Sequence, residues 1–194
     1  PDVRDAVQHA AGLMARAGAL VEPMAPFLTR EMLDGMDHFW RMRSNVDMNA
    51  LPPGRKAKVL PYIQAWADSA HGMDGAAVFR AQHQFYLTRQ TTVAACRAFD
   101  YVISPTAPNL PAPAEWAGPT NDPLRPLEHI AFTVPFNMSE QPAASINCGY
   151  STGGLPIGLQ IAGARFDDLG VLQVSRAFEL IRDAQRPWPQ PPAA

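Results

Sequence analysis

The chain of 194 residues has few cysteines, few lysines and little charge of either sign. Its two cysteines, Cys96 and Cys148, lack metal-ligand spacing, which predicts buried thiols in a cytoplasmic protein rather than a disulfide framework. Charged residues make up 18% and the net charge is −2, a balance that gives no basic footprint for nucleic acid. The longest apolar runs are too short for a membrane span, so neither nucleic acid nor membrane is a predicted partner.

Motifs for cofactors, metals and familiar nucleophiles are missing as well. The glycines of Ser151–Gly154 precede a strand, not a helix, so they form neither a phosphate loop nor a dinucleotide fingerprint, and no cofactor is predicted. The five histidines show no metal-binding pattern, so no metal is predicted. Asp122, His129 and Ser139 could be drawn as a hydrolase triad, but no G-x-S-x-G turn surrounds the serine. Cys148 fits a small buried residue at a strand end better than a nucleophile.

The residues that are present indicate an α/β fold. Helical spacing from Val3 to Ala17 ends at Gly18 and is followed by a predicted strand at Ala19–Glu22. Apolar residues step by three and four from about Asp74 to Phe99, which predicts a long helix feeding the strand "YVIS". Further on, "AASIN", "GYSTGG" and "IGLQIAG" predict a β-hairpin, and a capping aspartate then starts a final helix.

Organisation along the chain follows from these elements. The first residue, Pro1, stands inside the predicted first helix and is not a methionine, so we expect the chain to be a piece of a longer polypeptide. The predicted division is 1–25 helix and strand, 26–73 helical insertion, 74–104 long helix and strand, 105–131 proline-rich loop, 132–186 hairpin and C-terminal helix, and 187–194 tail.

Two stretches carry a resemblance to a known family. "FDYVISPTAPNLPAP" and "FTVPFNMSEQPAASINCGYSTGGLPIGLQIAGARFDD" resemble the C-terminal part of the amidase signature hydrolases, and "AAGLMARAGALVEPM" fits the same family further upstream. The resemblance implies one part of a single domain, with a mixed β-sheet flanked by helices. It also implies an intact parent that hydrolyses the C–N bond of an amide to an acid and ammonia or an amine.

The family's catalytic residues do not carry over to this chain. Such enzymes use a Ser–cis-Ser–Lys triad and a glycine- and serine-rich oxyanion segment in their N-terminal portion. The two lysines here, Lys56 and Lys58, stand in "GRKAK" with no serine-rich sequence around them. The resemblance therefore implies no catalytic residue in this chain, and a chain that is inactive without the N-terminal part of the same polypeptide.

The resemblance does imply pocket-lining positions. It places Phe85 where glutamine-using members carry an arginine for the substrate carboxylate, and Ile130 where they carry an acidic residue for the substrate amine. Both replacements favour a neutral, rather apolar amide as the small-molecule substrate. The remaining implied lining residues are Thr106, Thr133, Phe136 and Asn137.

Other interpretations stay open at this point. Thr106 and Asn137 could instead satisfy buried backbone groups, and Phe85 and Ile130 could be core residues. The whole chain could be a stand-alone, non-catalytic module that binds a ligand or partner, or part of an amidotransferase that acts on glutamine. A homodimer is a further open alternative.

Overall fold

The computed structural model describes residues 1–187. All residues of the predicted tail after residue 187 lie outside the described range. None of the helices in this range is long and apolar enough to cross a bilayer. The helices are α1 (Asp2–Arg16), α2 (Arg30–Asn49), α3 (Pro53–Lys56), α4 (Pro61–Asp68), α5 (Gly75–Cys96), α6 (Val134–Ser139) and α7 (Asp168–Ile181), with one 3₁₀ turn at Glu128–Ile130. The strands are β1 (Val102–Pro105), β2 (Ala143–Tyr150) and β3 (Pro156–Ala162).

The sheet has the order β1–β3–β2, and both pairings are antiparallel. The part of the sheet within residues 1–187 is thus antiparallel throughout, because β2 and β3 form a hairpin and β1 runs against β3; the mixed sheet stays a prediction for the whole domain. A bulge interrupts β2 between Asn147 and Gly149. There the guanidinium of Arg182 donates to the Asn147 carbonyl oxygen at 2.9 Å. Within this sheet β1 and β2 each have a single neighbouring strand, so both are edges.

One face of the sheet carries the main core. Leu159 and Ile161 of β3 and Phe178 of α7 are fully buried there, with Ala10 of α1 beside them. Helix α7 begins where the Asp167 carboxylate accepts from the Gly170 amide at 3.2 Å, as the capping aspartate predicted. The hairpin with a helix laid across it is thus present as expected from the sequence.

The predicted long helix is α5, which ends three residues before the predicted Phe99. Its first turn is capped by the Asp74 carboxylate, which accepts from the Ala77 amide at 2.7 Å. Thr88 and Thr92 are buried where α5 packs, and their hydroxyls donate to carbonyl oxygens one turn earlier. Those bonds satisfy the two polar side chains inside the helix packing.

Helices α2 and α4 are joined to the proline-rich segment by a buried ion pair. Asp37 and Arg41, one turn apart on α2, are both 7% exposed, and the Arg41 Nε donates to the Asp37 Oδ2 at 2.7 Å. The Trp66 indole donates to the other Asp37 oxygen at 2.8 Å. Arg41 also donates to the Ser69 hydroxyl at 2.7 Å and to the Pro123 carbonyl at 2.8 Å. Three chain segments therefore meet at one guanidinium.

The predicted strand at Ala19–Glu22 is wrong. These residues follow α1 in an extended run without strand pairing, and Leu20 is 98% exposed. A strand needs a neighbour to complete its hydrogen bonds, and neither edge of the described sheet pairs with this segment.

Candidate functional site

The structure brings Phe85 and Ile130 into one apolar cluster, although they lie on separate elements. The Phe85 ring meets Phe39 and Trp40 of α2 edge-on, with centroids 5.2 and 5.4 Å apart. Close packing of α2 on α5 depends on Gly35, since a Cβ there would collide with the Gln84 side chain. The cluster is lined by Leu28, Leu33, Met36, Trp40, Phe85, Leu127, Ile130, Val134 and Met138.

The acidic side chain nearest to Ile130 in sequence is already paired. The Glu128 carboxylate accepts from Arg125 at 2.6 and 2.8 Å and from Arg30 of α2 at 2.8 Å. Hydrogen bonds from Arg125 and Arg30 lower the pKa of Glu128, which keeps it ionised and occupied. The apolar cluster therefore has a charged rim on which Glu128 is neutralised by two guanidinium groups.

Thr133, Phe136 and Asn137 lie at the start of α6, where they point to different surroundings. The Thr133 hydroxyl donates to the Ile130 carbonyl at 3.1 Å and so ties α6 to the 3₁₀ turn. Phe136 is 4% exposed and packs in a core cluster with Cys96. Asn137 is exposed. Asn137 therefore does not lie among buried backbone groups, whereas Phe136 lies in the core.

Thr106 lines a separate cavity of about 290 Å³ between the sheet and the proline-rich segment, here called the Thr106 cavity. Its hydroxyl lies 2.6 Å from that of Ser145, and its amide donates to the Gly158 carbonyl at 2.9 Å. A Cβ at Gly158 would lie 2.7 and 2.8 Å from the two hydroxyl oxygens, so glycine keeps this space open. His129 also lines the cavity.

The six predicted lining residues thus lie in three separate places. The segment 127–137 connects these places along the chain. Phe85 and Ile130 share the apolar cluster, Thr106 lines the cavity, and the other three belong to α6. Sequence reasoning did not place Ser145 beside Thr106, because Ser145 stands in no recognisable motif, and it considered His129 only as a member of a possible triad. The only signal available was the position of Ser145 on a strand opposite a glycine-containing partner strand.

Ser139 and Cys148, the alternative nucleophiles, are both poorly placed for catalysis. The Ser139 hydroxyl is buried and donates to the Gln141 side-chain oxygen at 2.9 Å, with the Phe136 carbonyl oxygen 3.3 Å away, while an Asp122 carboxylate oxygen accepts from the Leu124 amide. Within residues 1–187 neither Ser139 nor Asp122 bonds to the imidazole that a triad would need. Burial raises the pKa of the Cys148 thiol to about 11, so the nucleophilic thiolate is scarce at neutral pH.

Comparisons with known proteins identify what the chain is similar to. The profile of the family described as Amidase matches residues 1–172. The A subunit of glutamyl-tRNA(Gln) amidotransferase from Granulibacter bethesdensis is 36% identical over 154 residues, which are 75% of this chain and 30% of that protein. The protein of the same name from Thermodesulfovibrio yellowstonii is 37% identical over 110 residues, or 56% of this chain and 21% of that one.

Solved structures show the same similarity in three dimensions. A 6-aminohexanoate cyclic dimer hydrolase complexed with substrate aligns over 97% of this chain and 42% of its own, with 25% identity and a TM-score of 0.77. A bacterial aryl acylamidase described as an amidase signature enzyme aligns over 92% of this chain and 40% of its own, with 24% identity and a TM-score of 0.76. The chain therefore spans well under half the length of these proteins.

Proposed function

The chain belongs to the amidase signature family, and from that membership we propose that it is the C-terminal part of a hydrolase of neutral, rather apolar carboxylic amides. The reaction would cleave the amide C–N bond to give an acid and ammonia or an amine. The triad would come from the N-terminal portion of the same polypeptide, as the resemblance implies. This portion would be the chain's necessary partner, in keeping with relatives more than twice its length.

The apolar cluster around Phe85 and Ile130 carries the substrate proposal. An α-carboxylate entering such a cluster would need a bidentate arginine, and Arg30 and Arg125 at its rim are already paired with Glu128. Burying an unpaired charge costs several kcal/mol, whereas an apolar acyl group gains about 25 cal/mol for each Å² buried. The same cluster would therefore favour a neutral amide over glutamine.

A substitution on α5 tests the substrate preference in the intact parent protein. We expect wild type to prefer a neutral alkyl or aryl amide over glutamine in kcat/KM, and Phe85→Arg to move that ratio about tenfold or more toward glutamine. Phe79→Arg is the matched control, because Phe79 lies on the same helix but is 70% exposed. Equal use of glutamine and the neutral amide by wild type would overturn the proposal. An unchanged ratio in Phe85→Arg would assign Phe85 to the core.

The second test concerns the chain alone, which we expect to be inactive. Neither the family's triad nor its oxyanion segment is present in the sequence, so even the residual catalysis of about 10³–10⁴-fold that survives loss of a nucleophile has no source here. Purified chain is assayed against aliphatic and aryl amides, with the parent protein as the positive control. Turnover by the chain that persists through repurification would contradict the assignment of chemistry to the N-terminal part.

Glutamine-directed amidotransfer is the second candidate function. The observation in its favour is that curated relatives with 36% and 37% identity are named as the A subunit of glutamyl-tRNA(Gln) amidotransferase. The apolar Phe85 and Ile130 argue against it, and the kcat/KM ratio described above separates the two. A non-catalytic binding module is the third alternative, and the intact mass of the protein in its source cells would test it.

A further inference from the structure

The charged rim of the apolar cluster is formed by side chains from two distant parts of the chain. The Glu128 carboxylate accepts from Arg125 through both of its oxygens, at 2.6 and 2.8 Å, and from the Arg30 guanidinium of α2 at 2.8 Å. Arg30 is also paired with Asp34, one turn further along α2, at 3.3 Å. Two positive and two negative charges therefore meet at this rim and balance each other.

Both sides of the rim are attached to the cluster itself. Glu128 belongs to the 3₁₀ turn and stands between Leu127 and Ile130 in the sequence, and both of these residues pack in the cluster. On the other side, Arg30 precedes the cluster residue Leu33 by one turn of α2. A ligand whose apolar part enters the cluster would therefore bring the group at its other end close to these charges.

The cations of the rim are open to solvent, and the anion between them is largely covered. The Arg30 and Arg125 side chains are each 61% exposed, whereas the Glu128 side chain is 23% exposed. Hydrogen bonds from the two guanidinium groups lower the pKa of Glu128, so its carboxylate is ionised at neutral pH. A ligand can thus reach the arginines, but Glu128 already occupies the fork of Arg125 that would bind a carboxylate bidentately.

We propose that Glu128 is a specificity-determining residue, which excludes anionic amides by occupying the two arginines at the edge of the apolar cluster. An anionic ligand has to displace a carboxylate that is held beside the arginines by the chain itself, and it meets the negative charge of Glu128 as it approaches. A neutral amide makes no demand on the guanidinium groups and enters without this competition. The inference rests on the proposed function, because it requires that the substrate enters the cluster.

The experiment compares glutaramide with glutaramate, in which a carboxylate replaces one of the two carboxamides, as substrates of the intact parent protein at neutral pH. We expect wild type to show the higher kcat/KM for glutaramide. Glu128→Gln leaves both arginines without their shared anion, and it should move the ratio about fivefold or more toward glutaramate, mainly through KM. The shift should shrink in about 0.5 M salt, because exposed charges are screened.

Two further variants assign the shift to the rim. Glu179→Gln is the matched control, because Glu179 of α7 also pairs with two arginines, Arg176 at 3.1 Å and Arg182 at 3.6 Å, but is not part of the rim. A general loss of stability would affect both substrates alike and leave their ratio unchanged. Adding Arg125→Gln to Glu128→Gln removes the guanidinium that the first change set free, and it should return the ratio most of the way to that of wild type.

The outcomes separate this inference from the proposed function. Equal use of the two substrates by wild type, an unchanged ratio in Glu128→Gln, or the same shift in Glu179→Gln would each overturn the role of Glu128. If the parent protein still hydrolyses neutral amides in those cases, the proposed function stands without it. If the parent hydrolyses no amide, the proposed function fails, and glutaramate binding measured by saturation-transfer NMR decides instead. Tighter binding to Glu128→Gln than to wild type would then support the role of Glu128, and equal binding would overturn it.

Discussion

The buried Asp37–Arg41 pair allows a sharp test of what holds the proline-rich segment on α2 and α4. Arg41→Ala removes the cation and leaves the Asp37 carboxylate with the Trp66 indole as its remaining bonded partner. It also removes the donor to the Pro123 carbonyl. Breaking a buried ion pair from one side costs about 3–5 kcal/mol, which is a large share of the roughly 5–15 kcal/mol that stabilises an ordinary domain.

The assay is urea unfolding of the chain followed by tryptophan fluorescence, to which Trp66 of the network contributes together with the three other tryptophans. Arg43→Ala is the matched control on the same helix, because its pair with Asp47 is 3.8 Å long and the two side chains are 68% and 70% exposed. We expect that control to lose at most about 1 kcal/mol. The double variant Asp37→Leu/Arg41→Met should recover most of the loss, since apolar side chains of similar volume replace the charges. Equal losses for Arg41→Ala and Arg43→Ala would refute the reasoning.

Two further predictions follow from burial. Phe178→Ala should lower the free energy of unfolding by about 3–5 kcal/mol, because Phe178 is fully buried, whereas Phe79→Ala should change it by about 0.5 kcal/mol or less. Since burial raises the pKa of Cys148 from 9.0 to about 11, the folded chain binds this proton more tightly than the unfolded chain. The resulting stabilisation is complete below about pH 9 and is lost as the pH rises toward 11, as urea midpoints across that range would show; a Cys148→Ala variant that keeps the same pH dependence would contradict the assignment.

Elements with strong local signals were predictable from the sequence. Helix α5 has an apolar repeat over six turns and a capping aspartate at Asp74, so its existence and start were correct. The hairpin of β2 and β3 has two apolar runs joined by a glycine turn, and Gly154 in that turn does adopt a φ of +85°. In both cases the information that determines the element lies within one stretch of chain. The resemblance to the family is confirmed by the family profile that matches residues 1–172.

Pairing between distant segments was not predictable in the same way. The residues Ala19–Glu22 have a strand-like composition, but whether they form one depends on a neighbour that local sequence does not specify. The antiparallel direction of β1 relative to β3 likewise depends on the path of the segments between them, which local sequence does not specify.

The candidate site contains one pair of residues that the sequence brought together through the resemblance, and one feature that no local sequence signal predicted. Periodicity gave no reason to place Phe85 near Ile130, and only the resemblance suggested that they belong together, yet one cluster contains both. The buried Nδ1 atom of His129 has no hydrogen-bond partner within residues 1–187, and no motif in the sequence signals its burial. A burial property of this kind belongs to the tertiary structure and has no signature in local sequence.

The two edges of the sheet have a consequence for how the chain behaves in a crowded solution. Unpaired strand edges can template the addition of a foreign strand, which is a common first step of aggregation. On β1 that growth is limited by a length of four residues and by Pro105, which has no amide hydrogen to donate. On β2 the bulge at Asn147 and the Arg182 guanidinium on its carbonyl leave Ala143–Ile146 as the regular part of the edge. Self-association by strand addition would therefore begin in these four residues, and a lysine introduced there would be the first means of suppressing it.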